Sequence, residues 1–428
     1  MKLNTAQKRA QGNPIPRVKI TSGVPAILAE YLYYGLLTYA NMAVAWGIAL
    51  PNIGAGVMAG LAAICSYRLR SRDCSFIVPP LCCGCSFLLI QIIIHDESLL
   101  HQINRAFVTW LFSVTIVQTL SFRRDFLHRF AFVAFAILLL TLPYINLDYV
   151  AGNTGLERAG LDHSIGFANP NDLAAWSGFC AVYFIIRGLA SRGAVNRMSA
   201  WFVGCVCLFI IALTVSRAPL FACAIAVTVS LRHILKRQFI AVIMLIVLSW
   251  IVYALGLTDQ ALRSYTERGV EDTGRLLIWP LTIERILDSP LVGVGVSDLK
   301  TFVPGFTVPI TPHNGFLFLA LSSGLIPAAF FGFYWIKVAK VAFRSTTDLY
   351  LNAPFQIPLL LYAFMIMSQL DTAFMAPWAT VVFCTTMSTP VGERHSKVFD
   401  NRLRQVRKRQ LLMQPQSSYT SARHNSQL

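Results

Sequence analysis

The chain has 428 residues, of which 55% are hydrophobic and only 13% charged, and its 36 Lys/Arg against 20 Asp/Glu give a net charge of +16. So apolar a chain is neither disordered nor fibrous, and about half the usual share of charge excludes an ordinary soluble enzyme, which leaves an integral membrane protein. The basic excess lies in short connections and tails and not on a folded basic face, so no nucleic-acid partner is expected.

In chain order, residues 1–23 form a basic tail with Lys2, Lys8, Arg9, Arg17 and Lys19. It lacks the short apolar core and small-residue cleavage site of a signal peptide, so insertion through the first span is expected. Twelve apolar segments follow, each near the ~20 residues that cross a bilayer. They cover 24–45, 47–66, 75–94, 103–120, 127–146, 170–188, 199–215, 217–231, 238–256, 314–336, 355–370 and 372–389. The predicted class is an all-α polytopic membrane protein, with spans one to nine in 24–256 and spans ten to twelve in 314–389. The polar, basic tail 390–428 reads as a disordered segment beside the anionic inner leaflet.

With the N-terminus inside, 28 of the 36 Lys/Arg fall on the cytoplasmic side and eight outside. Each internal cytoplasmic connection carries three, for example Arg68/Arg70/Arg72 and Arg123/Arg124/Arg129. Lysine and arginine collect on the cytoplasmic side, so both termini are expected there, with membrane lipids as partners. Two outer connections are long, 147–169 and 257–313, and long connections in compact proteins are usually functional. The second holds Arg263, Arg268, Arg275, Arg285 and Lys300. Within it Leu276, Leu277, Ile283, Ile286 and Leu287 recur at roughly helical spacing, which predicts an interfacial helix over Leu276–Asp288 capped by Asp272 or Thr273.

Several features carry no chemistry. Cys82-Cys83-Gly84-Cys85 has no histidine or second cysteine pair beside it, and reads as small thiols packed in a span. The outer loops hold no cysteine, so no disulfide framework follows. No D-x-D sequence occurs, which disfavours a metal-dependent transferase, and no cofactor is expected. Gly293-Val294-Gly295 lies outside and follows no buried strand, so it is not a nucleotide loop. Glu30 is the one clear acid within a span, near its cytoplasmic end.

Four outer segments carry signals, each with a plainer reading beside it. In Thr214-Val215-Ser216-Arg217, an arginine at the start of a span marks a functional site or snorkels to the headgroups. In Gly274-Arg275-Leu276-Leu277-Ile278-Trp279, a guanidinium at a helix N-terminus calls for a shared anion, or for a salt bridge to Glu271 or Asp272. In Pro312-His313-Asn314-Gly315, the histidine can take a proton from a hydroxyl, or the Asn/His pair caps a helix. His95 and His163 also lie in outer segments. In Asn169-Pro170-Asn171-Asp172, Asn169 reads as an N-cap and Pro170 as the first helical residue.

Taken in order, S-R at the outer start of a span, G-R-L-L-I-W-P-L, D-S-P-L-V-G-V-G and P-H-N-G-F-L-F-L-A-L-S-S-G-L resemble the O-antigen ligase superfamily. That superfamily includes lipopolysaccharide O-antigen ligases and capsule or exopolysaccharide polymerases. The N-P-N opening of the sixth span and the long outer loop before the histidine agree with it. The resemblance implies metal-independent, inverting transfer of a glycan from an undecaprenyl-diphosphate donor on the outer face of the inner membrane. The acceptor is then another glycan or the lipid A core. By motif, Arg217 and Arg275 would hold the diphosphate and His313 would activate the acceptor hydroxyl. Asn169, Asn314, Ser216 and Trp279, from the same motifs, are candidate substrate contacts. Ala218-Pro219 departs from the glycine or small polar residue that many members carry after the first arginine. A transporter of lipid-linked sugars is the competing class. It calls for charges along a central cavity, whereas here they gather at the outer surface.

Overall fold

The computed structural model describes residues 24–42, 46–47, 74–94, 126–150, 157–161, 170–191, 193–231, 275–295, 298–304, 309–344 and 353–368. The expected spans 47–66, 103–120, 238–256 and 372–389, both tails and Asn169 lie outside them. The described residues are mostly helical. In chain order the helices are α1 (Val24–Met42), α2 (Cys74–Ile94), α3 (Phe126–Thr141), α4 (Pro170–Ala190), α5 (Ala194–Leu213) and α6 (Arg217–Leu231). They continue with α7 (Arg275–Asp288), α8 (Gly315–Ser323), α9 (Leu325–Arg344) and α10 (Ala353–Met367). Three described stretches are long and apolar enough to cross a membrane, namely Phe126–Tyr144, Pro170–Ala190 and Ala194–Leu213. Shorter apolar stretches occur at Val78–Ile90, Arg217–Ser230 and Phe355–Met367.

Helix α4 is the axis of the bundle. It is apolar on all sides, and a helix of that kind belongs in the middle. Nearly all of it is buried, against α3, α5, α6 and α10. Between apolar helices in lipid, small residues bring backbones together and dispersion holds them. Ala174, Ala175, Gly178 and Ala181 do this on α4, and Ala222 and Ala226, one turn apart, on α6. A Cβ at Gly178 would lie 2.2 Å from the Tyr362 hydroxyl. That hydroxyl donates to the Ala175 carbonyl at 2.6 Å and joins α10 to α4. Cys180, Cys207 and Cys223 are free, buried thiols on α4, α5 and α6. On α2, Cys83 is buried and Cys85 exposed, so the Cys82–Cys85 cluster does not converge on one point.

One end of the bundle carries two polar networks. The buried Glu30 of α1 accepts from Tyr34 Oη at 2.6 Å, and from Arg129 of α3 through Nε and, at 3.1 Å, Nη2. An acid within a span is tolerable when it is neutralised in this way. Beside it Tyr183 of α4 lies 2.5 Å from His128 Nδ1 and accepts from Arg187 Nη1 at 3.0 Å. Tyr183 also stacks on Phe355 of α10, with centroids 5.1 Å apart. The start of α3, the end of α4 and the start of α10 therefore meet at this end.

Two features differ from the sequence expectation. The class is not purely α. Strands β1 (Ile145–Val150) and β2 (Glu157–Leu161) form an antiparallel pair with Ile145 opposite Leu161 and Val150 opposite Glu157. Pro143 ends the preceding helical stretch in a 3-10 turn, and the β-branched and aromatic residues after it suit a strand. Strand β2 packs on α4 and α5 and covers their ends. Second, the stretch 314–336, expected as one span, is divided at Gly324. In a continuous helix Phe316 and Phe331 would be about 22 Å apart. Their ring centroids are 5.2 Å apart, and Trp335 is 6.2 Å from Phe316, so α8 and α9 fold back on each other.

Candidate functional site

Outside glycine, two described residues have positive φ: Val215 at 53° and His313 at 48°. Left-handed backbone is costly for residues with a Cβ, most of all a β-branched one, and such strain of about 1–3 kcal/mol persists only where the surroundings hold it. Both lie in motifs singled out from the sequence.

The first turn reverses the chain between α5 and α6 in three residues. Thr214 and Ser216 are buried, and the Val215 amide donates to the Ala212 carbonyl at 3.0 Å. Ser216 Oγ donates to Asn171 Oδ1 at 2.9 Å, which fixes this turn against the start of α4. Arg217 is the first residue of α6 and is half-buried. Pro219 is the third, where a backbone N–H has no intrahelical acceptor, so the departure at Ala218-Pro219 fits the helix start. Ser216 thus holds Asn171, a residue that sequence reasoning had passed over as part of a helix opening.

The second turn lies between α7 and α8. A helix is present where one was expected, as α7, and Arg275 is its first residue. Ile278, Thr282 and Ile286, spaced by four, are buried, and Ile286 packs with Ala320 and Leu321 of α8. Leu277, Ile283 and Leu287 are exposed, so the expected single stripe is two faces, one packed on protein and one turned outward. Arg285 clasps the returning chain. It donates to the carbonyls of Lys300 at 2.9 Å and Asp298 at 3.1 Å, and pairs with the Asp298 carboxylate at 2.6 Å. A bridge between Thr301 and Ile310 then brings Pro312 back to α7. There Trp279 Nε1 donates to the Pro312 carbonyl at 2.9 Å. This engages the single polar atom of Trp279, which was expected to contact substrate. His313 follows in its left-handed turn, half-buried. Asn314 is the N-cap of α8, its Oδ1 accepting from the amides of Phe316 at 2.9 Å and Leu317 at 3.2 Å. Asn314 therefore does the capping, which leaves the histidine ring outside that role.

The far ends of α7 and α8 are also tied. The segment after α7 lies in the break between α8 and α9: Val294 N donates to Leu321 O at 2.8 Å, Gly295 N to Ser322 O at 3.2 Å, and Leu325 N to Pro290 O at 2.7 Å. The motifs D-S-P-L-V-G-V-G and S-S-G-L thus interlock. A Cβ on Gly293 would lie 2.5 Å from Leu321 O, and one on Gly324 2.4 Å from the Leu291 carbonyl, so both positions require glycine. With contacts near both ends, α7 and α8 run parallel.

The start of α8 lies at the same end of the bundle as the starts of α4 and α6. Phe316 stacks near Phe364 with centroids 5.8 Å apart, and Tyr362, two residues earlier on α10, bonds Ala175 near the start of α4. The starts of α4, α6, α7 and α8, which carry Arg217, Arg275 and His313, therefore face the end opposite to the Glu30 and Tyr183 networks. Helix N-termini carry partial positive charge, which together with an arginine favours an anion.

No curated protein matches the chain. The family model described as O-antigen ligase matches residues 202–332, the stretch from α5 through α6, α7 and α8 into α9. Both strained turns and the interlocked motifs lie within it, and the match supports the resemblance to the O-antigen ligase superfamily.

Proposed function

We propose that this protein is a membrane glycosyltransferase that moves a glycan from an undecaprenyl-diphosphate carrier to an acceptor hydroxyl at the outer face of the bacterial inner membrane. The observation that carries this reading is the left-handed turn at His313, held against the first turns of α7 while Arg275 opens that helix. The diphosphate lies against Arg217 and Arg275, whose planar forks bind phosphate oxygens bidentately. Asn169 is a further contact at the start of α4. His313 takes the proton of the acceptor hydroxyl as the oxygen attacks the anomeric carbon from the side opposite the diphosphate. The bond from that carbon to phosphate oxygen breaks with inversion, and the charge that develops on the departing diphosphate falls on the arginines and helix N-termini. The leaving group is stabilised by these cations, and no metal step is invoked.

Ligase and polymerase differ in the acceptor, lipid A core or a second carrier-linked chain. The glycan profile of a deletion strain separates them and tests the class. Lipid A core without O-chains indicates a ligase, and single repeat units a polymerase. Repeats stranded on the cytoplasmic side would refute the enzyme and indicate a transporter. Reporter fusions at Asn153 and Gly305 should be active only for an exported reporter, since both termini are cytoplasmic in this reading.

A further inference from the structure

We infer that Trp279 is a positioning residue for His313, acting through the Pro312 carbonyl. The inference rests on the role of His313 proposed above. The peptide between Pro312 and His313 is planar, so the direction of its carbonyl fixes the plane from which φ of His313 is measured. The carbonyl is held by Trp279 Nε1 at 2.9 Å, and φ of His313 is 48°. Flipping this peptide would return His313 to negative φ, the region that residues with a Cβ prefer, and would turn the carbonyl away from the indole. The hydrogen bond therefore selects the strained conformer. On the other side of His313 the backbone is fixed by the Asn314 cap on Phe316 and Leu317. Trp279 lies in the first turns of α7, the helix that Arg275 opens. One contact thus sets the distance between the helix carrying the phosphate ligand and the turn carrying the base. A substrate contact would use the indole N–H on the ligand, and here it is used on the chain.

The test uses the full-length protein in proteoliposomes. The probe is undecaprenyl-diphosphate-linked glycan extracted from the deletion strain, and release of undecaprenyl diphosphate is followed. Trp279→Phe removes the donor and keeps an aromatic ring. Benzothienylalanine at position 279 replaces N–H by sulfur in a ring of the same shape, which covers the case in which Phe does not fold. The net worth of one hydrogen bond corresponds to about a 2- to 12-fold change in population. The expected result is a kcat lower by that factor, with unchanged KM for the donor, melting lowered by no more than the loss of one hydrogen bond, and no further loss of turnover when the change is added to His313→Ala. A raised KM at normal kcat would make Trp279 a substrate contact and overturn the inference. Wild-type kcat, or the same fold-loss with and without His313, would also overturn it while leaving the proposed function in place. Normal turnover of His313→Ala alone would remove both.

Discussion

Gly324→Ala probes the interlock that joins α7 to α8. At φ 79° and ψ −177° this residue occupies a region essentially limited to glycine, at a cost of about 1–3 kcal/mol for any other residue. The new Cβ would lie 2.4 Å from the Leu291 carbonyl carbon and oxygen, backbone atoms that cannot rotate aside. To make room the segment 290–295 must withdraw, losing the bonds Val294–Leu321, Gly295–Ser322 and Leu325–Pro290. At about 0.5–1.5 kcal/mol each these contribute about 1.5–4.5 kcal/mol, which with the strain gives about 2.5–7.5 kcal/mol. Gly332→Ala is the control: it lies within α9, and a Cβ there meets nothing within 4 Å. It should stabilise by about 0.5–1 kcal/mol through helix propensity. Melting of the purified variants in detergent, with limited proteolysis of 289–295, reads both. Gly324→Ala should melt well below wild type, cut in that segment and lose turnover, because α7 and α8 no longer share a frame. A Gly324→Ala protein with wild-type melting and turnover would refute the interlock.

Three further outcomes are expected. Glu30→Gln leaves Arg129 beside a neutral partner and should cost about 3 kcal/mol in melting experiments, the low end for a buried pair because Arg129 is part-exposed, and adding Arg129→Gln should recover part of the loss. Arg217→Lys and Arg275→Lys keep the charge and lose the fork, so donor binding should weaken and kcat fall by roughly a hundred- to a thousandfold, measured per folded protein. Chelator treatment should leave turnover unchanged; loss that magnesium or manganese restores would reject metal-independent transfer.

Much of this architecture is legible in the chain. Helices α1 to α6 and α10 fall within a few residues of the apolar segments because an apolar run bounded by charge leaves few alternatives. The helix over Arg275–Asp288 shows in its spacing, and the Asn314 cap in the asparagine before an apolar run. The break at Gly324 does not show, because two serines and a glycine are too short a polar interruption to end an apolar run and the cause is a backbone segment about 30 residues earlier. The strand pair hides between two apolar segments in a stretch with no long alternation. Trp279 reads as a free aromatic until its partner, 33 residues on, is placed beside it. Likewise Tyr183 and Arg187, one turn apart, hint at a contact, but His128 is joined to them only by the packing of α3 on α4. The strain at Val215 and His313 is a property of the folded turn, not of the residue types.

If His313 moves a proton and does not hold the donor, losing its ring affects turnover and spares binding. The most direct measurement is undecaprenyl diphosphate binding and turnover of His313→Ala, both normalised to folded protein. Binding should stay close to wild type, with turnover reduced by about 10²–10⁴-fold. Near-normal turnover in a well-folded His313→Ala protein would contradict it.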